Sequence, residues 1–293
     1  MSISYRGAWT ALITPFKAGE IDDAAYTKLI EQQIAGGISG LVVCGTTGES
    51  VTLTESEKIH QIKRTVELAK GRIPVMAGTG SSSTAATVEF SKQVCELGVD
   101  ALLVVSPAYN KPTAAGMIAH FKAVSAASSK PIMLYNVPGR TASNVLPATV
   151  AAIADACPNV EAIKEASGSV AQMSECHRLA PGVALMSGDD ALCLPSLAIG
   201  SGGVVSVISN LLPRQVSDVV RYFEEGKLAD AIKLHEQLTP VVELMFAEAN
   251  PTPVKYAMSK IGIGDDSVRL PLLPASPALR EKIDAALKER GWA

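Results

Sequence analysis

Short, almost wholly apolar segments recur along the chain at roughly 25–30-residue intervals. They are Ala8–Thr14, Leu41–Gly45, Pro74–Thr79, Ala101–Ser106, Pro131–Asn136, Val160–Glu165, Ala184–Ser187 and Gly203–Ile208. A strand with no polar side is buried on both faces, which is the mark of a parallel sheet covered by helices. Parallel neighbours cannot be joined by a hairpin, so each pair needs a crossover long enough for a helix. The intervening stretches supply them, through 22–35, 83–97, 113–127, 146–155, 169–179, 191–199 and 213–224. One more opens at Thr54-Glu55-Ser56-Glu57, a capping box, and stops at Gly71. Eight such units predict an α/β chain folded as a (β/α)8 TIM barrel. An open doubly wound sheet is the structural rival, but no G-x-G-x-x-G follows the first strand. After about residue 225 the strands cease and helical patterns remain near 227–247, 251–262 and 277–290. The expected organisation is therefore a barrel over 1–225 that carries the active site, and a C-terminal three-helix extension over 226–293.

Composition narrows the function classes. Of 293 residues, 47% are apolar and 19% charged, enough for a large core and unlike a disordered chain. A net charge of −3 without any run of Lys or Arg gives nucleic acid no basic stripe to bind. Met1 to Phe16 has no charged region ahead of a long apolar run, so it does not read as a signal peptide, and no stretch approaches the ~18 apolar residues of a membrane span. The five cysteines are scattered without a C-x-x-C, which suggests reduced core thiols and a cytoplasmic setting. His60, His120, His177 and His235 stand apart from one another, so no metal site is expected.

Barrel enzymes place chemistry on the loops that follow their strands. Here those loops carry Gly45-Thr46-Thr47-Gly48-Glu49-Ser50, Ser106-Pro107-Ala108-Tyr109-Asn110, Tyr135 with Arg140, Lys164, Ser187-Gly188-Asp189-Asp190, and Gly203-Val204-Val205-Ser206. Lys164 is the most informative. A lysine at the end of an apolar strand is held out of water, which lowers its pKa and turns its amine into a nucleophile for carbonyl substrates. Its bland alternative is a lysine reaching to solvent or paired with Glu165. Tyr135 could move protons during carbinolamine breakdown, or be a strand tyrosine with a satisfied hydroxyl. The Gly-Thr-Thr-Gly turn could cradle a carboxylate with exposed N–H groups, or be a plain turn. Arg140 suits a bidentate carboxylate contact, or solvent. Asp189-Asp190 reads first as a helix cap, and Cys44 as core.

Taken together, Gly45-Thr46-Thr47-Gly48-Glu49, Tyr135-Asn136-Val137-Pro138 with Arg140-Thr141, Ile163-Lys164-Glu165-Ala166, Ser187-Gly188-Asp189-Asp190, and Asn250-Pro251 with Pro253-Val254-Lys255 resemble the motifs of the dihydrodipicolinate synthase family. That family lies in the pyruvate-dependent class I aldolase superfamily, which also holds N-acetylneuraminate lyase. The resemblance runs from the first strand to the C-terminal helices. It implies a (β/α)8 barrel with a helical extension, assembled as a homotetramer of tight dimers or as a homodimer. It implies a lyase that condenses pyruvate with L-aspartate 4-semialdehyde in diaminopimelate and lysine biosynthesis, with no metal or organic cofactor. Lys164 matches the Schiff-base lysine and Tyr135 the catalytic tyrosine. Thr46 and Tyr109 match its proton-relay partners, Tyr109 being the residue that reaches a neighbouring subunit's site. Thr47, Gly188 and Val205 match substrate-binding positions, the first and last touching pyruvate, and Arg140 the residue that orients the semialdehyde carboxylate. A sister aldolase acting on a sugar acid or a 4-hydroxy-2-oxo acid is the closest alternative, and a non-catalytic keto-acid-binding barrel the alternative from another class.

The chain departs from the pattern of lysine-inhibited relatives. Where those carry histidines, an asparagine, a glutamate and an aromatic residue at a dimer-interface lysine site, it has Glu55, Lys58, Ser82, Ala86 and Ala108. The ring is absent at Ala108 and Lys58 repels an ammonium, so lysine is expected to inhibit weakly or not at all, and the dimer contact to be unusual.

Overall fold

The computed structural model describes residues 3–291. Its strands are β1 (Gly7–Ala11), β2 (Phe16–Lys17), β3 (Glu20–Ile21), β4 (Gly40–Val43), β5 (Val75–Gly78), β6 (Ala101–Val105), β7 (Ile132–Asn136), β8 (Val160–Glu165), β9 (Ala184–Ser187) and β10 (Gly203–Ser206). The short antiparallel pair β2–β3 stands apart. The other eight close into a barrel in the order β1-β10-β9-β8-β7-β6-β5-β4, the (β/α)8 architecture expected, and not an open sheet. The chain packs as two units, Pro74–Val205 with the chain up to Gly7, and Ala8–Ile73 with the chain from Ser206.

In the first unit the parallel register places side chains with little freedom. Val105 stands beside Tyr135, Tyr135 beside Lys164, Lys164 beside Met186, and Met186 beside Gly203. Successive residues of a strand point to opposite faces, so this row shares one face and the next row, Asn136, Glu165 and Ser187, the other. Glu165 meets Gln172 of the helix Val170–Leu179, so its row faces the helical layer. The Lys164 row faces away from the helices, into the barrel. Helices Thr84–Cys95, Ala114–Ala127 and Val170–Leu179 are each opened by a Ser or Thr whose hydroxyl accepts a first-turn N–H, as the sequence chemistry requires.

In the second unit β1 pairs with β4 through Trp9 and Gly40, Thr10 and Leu41, and Ala11 and Val42. The Thr54 capping box forms as expected, with Glu57 accepting from the Thr54 N–H at 2.7 Å. The helix it opens ends with Lys70 in the left-handed region, one residue before Gly71. The C-terminal patterns fold as Leu228–Met245, Thr252–Lys260 and Pro277–Glu289, and Tyr256 Oη donates to Asp284 at 2.9 Å between the last two. These helices belong to the same compact unit as β4. All five cysteines are buried and none forms a disulfide. Among the described residues no helix is long and apolar enough to cross a membrane.

Candidate active site

β8 delivers Lys164 to the site because its neighbours in the chain are apolar and its flanking strands run past it. Val160, Ala162 and Ile163 are buried, and pairing continues beyond the lysine, from Glu165 to Asn136 on one side and to Ser187 on the other. Lys164 is thereby only 5% exposed. Desolvation is the main reason its pKa falls to about 8; the Asp190 carboxylate opposes the shift and the Arg140 guanidinium adds to it. The net displacement corresponds to roughly 3 kcal/mol by which the folded surroundings disfavour the ammonium. Glu165 is not the lysine's partner. It points to the opposite face, where it accepts from Asn136 Nδ2 at 2.8 Å, Gln172 Nε2 at 3.1 Å and the Ser167 N–H at 2.7 Å.

Tyr135 is the neighbour in register, itself buried, and Lys164 Nζ lies 4.4 Å from the centre of its ring. The two motifs that the sequence separates by about 29 positions are therefore brought together by one ladder of hydrogen bonds. Gly188 completes the lysine's enclosure. A Cβ there would stand 2.9 Å from Lys164 Cε and 3.0 Å from its Cγ, and 2.7 Å from Ala166 Cβ. Any side chain would push the amine's stem out of place, and only glycine lets the stem lie against the β9 loop. Val205 is fully buried on β10. Asp189 caps the short helical turn Asp190–Leu192 by accepting the Ala191 N–H at 3.0 Å, so the reading of Asp189 as a helix cap was the right one.

Arg140 lies exposed in a four-residue helix, Pro138–Thr141, that follows β7 directly. The helix ends on Ala142, left-handed at φ 55°. The carbonyl of Thr141 accepts the N–H of Tyr109 at 3.2 Å, so the loop that carries Arg140 also holds the backbone of Tyr109. Tyr109 is 92% exposed and sits at φ 75°. A bulky residue kept left-handed costs about 1–3 kcal/mol, and such strain persists only where the surroundings enforce it.

The second unit holds the two threonines. Thr46 is half-buried and Thr47 is 3% exposed, with its hydroxyl accepting from Asn250 Nδ2 at 3.0 Å. Thr14 Oγ1 donates to the Gly48 carbonyl at 2.7 Å. Next in the loop comes Glu49, buried and left-handed at φ 54°. Its carboxylate accepts from Lys255 Nζ at 2.6 Å and from the Arg269 N–H at 2.9 Å. Lys255 is fully buried, with its ammonium 3.9 Å from the centre of the Phe16 ring. Desolvation lowers its pKa, and the Glu49 charge works against that. The Gly-Thr-Thr-Gly-Glu and Asn-Pro-x-Pro-Val-Lys motifs are thus two halves of one contact. Sequence reasoning found both and missed the pairing, although a lone lysine inside Val254-Lys255-Tyr256-Ala257-Met258 signals a buried partner. Among the described residues no group of three His, Cys, Asp or Glu gathers as a metal site would require.

Residues 4–290 match the model of the dihydrodipicolinate synthetase family. The chain belongs to that family. The 4-hydroxy-tetrahydrodipicolinate synthase of Maridesulfovibrio salexigens is 48% identical over 290 residues, covering 99% of both chains. That of Endomicrobium trichonymphae is 48% identical over 287 residues, 98% of this chain and 99% of its own. The solved structure of the 4-hydroxy-tetrahydrodipicolinate synthase from the methanotroph Methylacidiphilum fumariolicum SolV superposes with a TM-score of 0.96 at 43% identity, over 98% of this chain and 96% of that one. The dihydrodipicolinate synthetase family is a family of lyases, and the motif resemblance led to the same family.

Proposed function

We propose that the chain is a 4-hydroxy-tetrahydrodipicolinate synthase that condenses pyruvate with L-aspartate 4-semialdehyde through a Schiff base on Lys164. The observation that carries this reading is a buried amine with a pKa of about 8 lying over the ring of a buried tyrosine. The neutral amine attacks the pyruvate carbonyl, and water leaves as protons pass through Tyr135. The protonated imine is an electron sink, so the pyruvate methyl loses a proton to give an enamine. That carbon attacks the aldehyde. The amino group of the bound semialdehyde then displaces Lys164, closing the ring and freeing the enzyme. Holding both reactants against one nucleophile supplies much of the rate.

Thr46 and Tyr109 serve as the proton relay, Thr47 and Val205 contact pyruvate, and Gly188 lines the substrate site. The exposure of Tyr109 supports its acting on a neighbouring copy of the chain, in a homotetramer or homodimer. Residues 1–225 carry the chemistry and 226–293 form the extension, and the enzyme works in the cytoplasm without a cofactor.

Arg140 is assigned to the semialdehyde carboxylate. Arg140→Ala is expected to lower kcat/KM for the semialdehyde about 100-fold, the loss of a charge-assisted bidentate contact. Borohydride trapping of pyruvate should remain; if it is lost as severely, the assignment is wrong. With Glu55, Lys58, Ser82, Ala86 and Ala108 in place of an inhibitor site, lysine should inhibit weakly or not at all, and initial rates should be little changed at sub-millimolar lysine. Inhibition by sub-millimolar lysine would refute that. The reading as a whole is tested by mass spectrometry after pyruvate and borohydride, coupled to a product assay with aspartate semialdehyde. Failure to trap an adduct on Lys164 would remove the mechanism, and failure with this aldehyde alone would redirect it to another acceptor.

A further inference from the structure

Behind Lys164 and Tyr135, on the helix-facing side of the same two strands, lies a closed ring of amide and carboxyl groups that the mechanism does not use. Asn136 and Glu165, each fully buried, are paired across β7 and β8. Asn136 Nδ2 donates both to Glu165 Oε2 and to Asn144 Oδ1, each at 2.8 Å. Gln172 Nε2 donates to Asn144 Oδ1 at 2.9 Å and to Glu165 Oε2 at 3.1 Å, and Gln172 Oε1 accepts from Asn144 Nδ2 at 2.9 Å. The remaining oxygen of Asn136 accepts the Val145 N–H at 3.0 Å. Asn136 therefore begins the loop 137–144 with its backbone and ends it with its side chain, and Arg140 lies inside that loop.

The donors and acceptors can be placed in one way only. Glu165 Oε1 takes the Ser167 N–H at 2.7 Å, so Oε2 is left to receive the amide nitrogens of Asn136 and Gln172. This forces the Asn136 nitrogen toward Glu165 and turns its oxygen toward Val145. Were an amide in place of the Glu165 carboxyl, the Ser167 N–H would claim its oxygen and its NH2 would face the NH2 of Asn136. Asn136 would have to flip, and its nitrogen would then confront the Val145 N–H. An unpaired buried amide is costly, so the loop would let go of the strand.

We infer that Glu165, acting through Asn136, is a positioning residue that latches the 137–144 loop and so sets where Arg140 meets the second substrate. The inference rests on the Schiff-base reading above and gives it a specificity element. Glu165 also holds the Gly188 N–H through its own carbonyl at 2.8 Å, but that backbone bond survives a side-chain change. The variant effect is therefore expected in the loop and in the Tyr109 backbone that its Thr141 carbonyl holds, and not at Lys164.

The test uses the intact chain. Glu165→Gln is expected to raise KM for aspartate semialdehyde at least tenfold. KM for pyruvate and the yield of borohydride-trapped adduct should stay within about twofold. Adding Asn136→Asp to Glu165→Gln restores a complementary set once Asn144 and Gln172 turn their amides over. The carboxylate at position 136 then accepts from the amide at 165, from Asn144 Nδ2 and from the Val145 N–H, while Gln172 Oε1 accepts from the amide at 165. That double variant should recover most of the semialdehyde KM, and a merely structural role would predict two damages that add. Asn144→Ala, at an exposed member of the ring, should show the same split more weakly even if the buried variants fold poorly. Equal loss of both substrates, or no rescue by the swap, overturns the latch. An absent pyruvate adduct in the unmodified enzyme strikes the Schiff-base reading instead.

Discussion

Lys164→Met is expected to abolish turnover while leaving a folded, and at neutral pH a more stable, protein. The loss comes from removing the proposed nucleophile, and a fall in kcat of about 10^4-fold or more is the scale seen when a covalent catalyst's attacking group is deleted. No mass adduct should form with pyruvate and borohydride. The gain follows from burial. The lysine's folded pKa of about 8 lies below the ordinary value of 10.5, so the folded state disfavours the proton. That penalty is complete below about 8 and disappears as pH rises toward 10.5, where both states become neutral. Methionine keeps the apolar stem and sheds the charge, so the variant's advantage should be about 1–3 kcal/mol at pH 7 and shrink above pH 8. In the unmodified enzyme kcat/KM for pyruvate reports the free amine, and should climb about tenfold per pH unit up to about 8 before levelling. A flat profile from pH 6 to 9, or a variant less stable at every pH, would mean that this amine is not held out of water.

The strands were legible because a parallel barrel buries both of their faces, and apolar runs leave little else for the chain to do. All eight appear where the apolar segments lie, with ends differing by at most three residues. What escaped was short or remote. The β2–β3 pair has two residues in each strand, too few to show an alternation, and only the turn at Ala18 and Gly19, both at positive φ, could have marked it. The Pro138–Thr141 helix is a single turn and reads in the sequence as a loop. The candidate site residues stood out by type and place, since a lysine at a strand end is costly without a use. Their supports did not. Glu165 was weighed as a partner for Lys164 because it is adjacent in the chain, yet alternation along β8 sends it to the other face, where its partners come from β7 and a helix. Proximity in sequence suggested an ion pair, and the two-residue period of a strand forbade it.

Glu49 and Lys255 show the same limit over a longer range, and they set the largest stability effect expected outside the nucleophile. Lys255→Met removes the ammonium that lies 2.6 Å from a carboxylate itself only 2% exposed. Glu49 would keep just the Arg269 N–H, and a buried charge stripped of its main partner typically costs about 3–5 kcal/mol. Glu49→Gln should cost a similar amount by stranding the lysine under Phe16. The double variant Glu49→Gln with Lys255→Met leaves no unmatched charge, so it should recover more than half of the loss. The midpoint of urea unfolding measures all three, and Lys255→Met within about 1 kcal/mol of the parent at fixed protein concentration would show that the pair bears little weight. Activity should follow in a particular way. Glu49 is the residue after Thr46-Thr47-Gly48, and Asn250, a few positions before Lys255, holds the Thr47 hydroxyl at 3.0 Å. Loosening this end should raise KM for pyruvate more than it lowers trapping at saturating pyruvate, because Thr47, the proposed pyruvate contact, sits in this loop whereas Lys164 stands on β8. The buried pair thus tethers the loop that holds the proposed pyruvate contact to the C-terminal helices, which is a physical reason for a barrel of this kind to carry them.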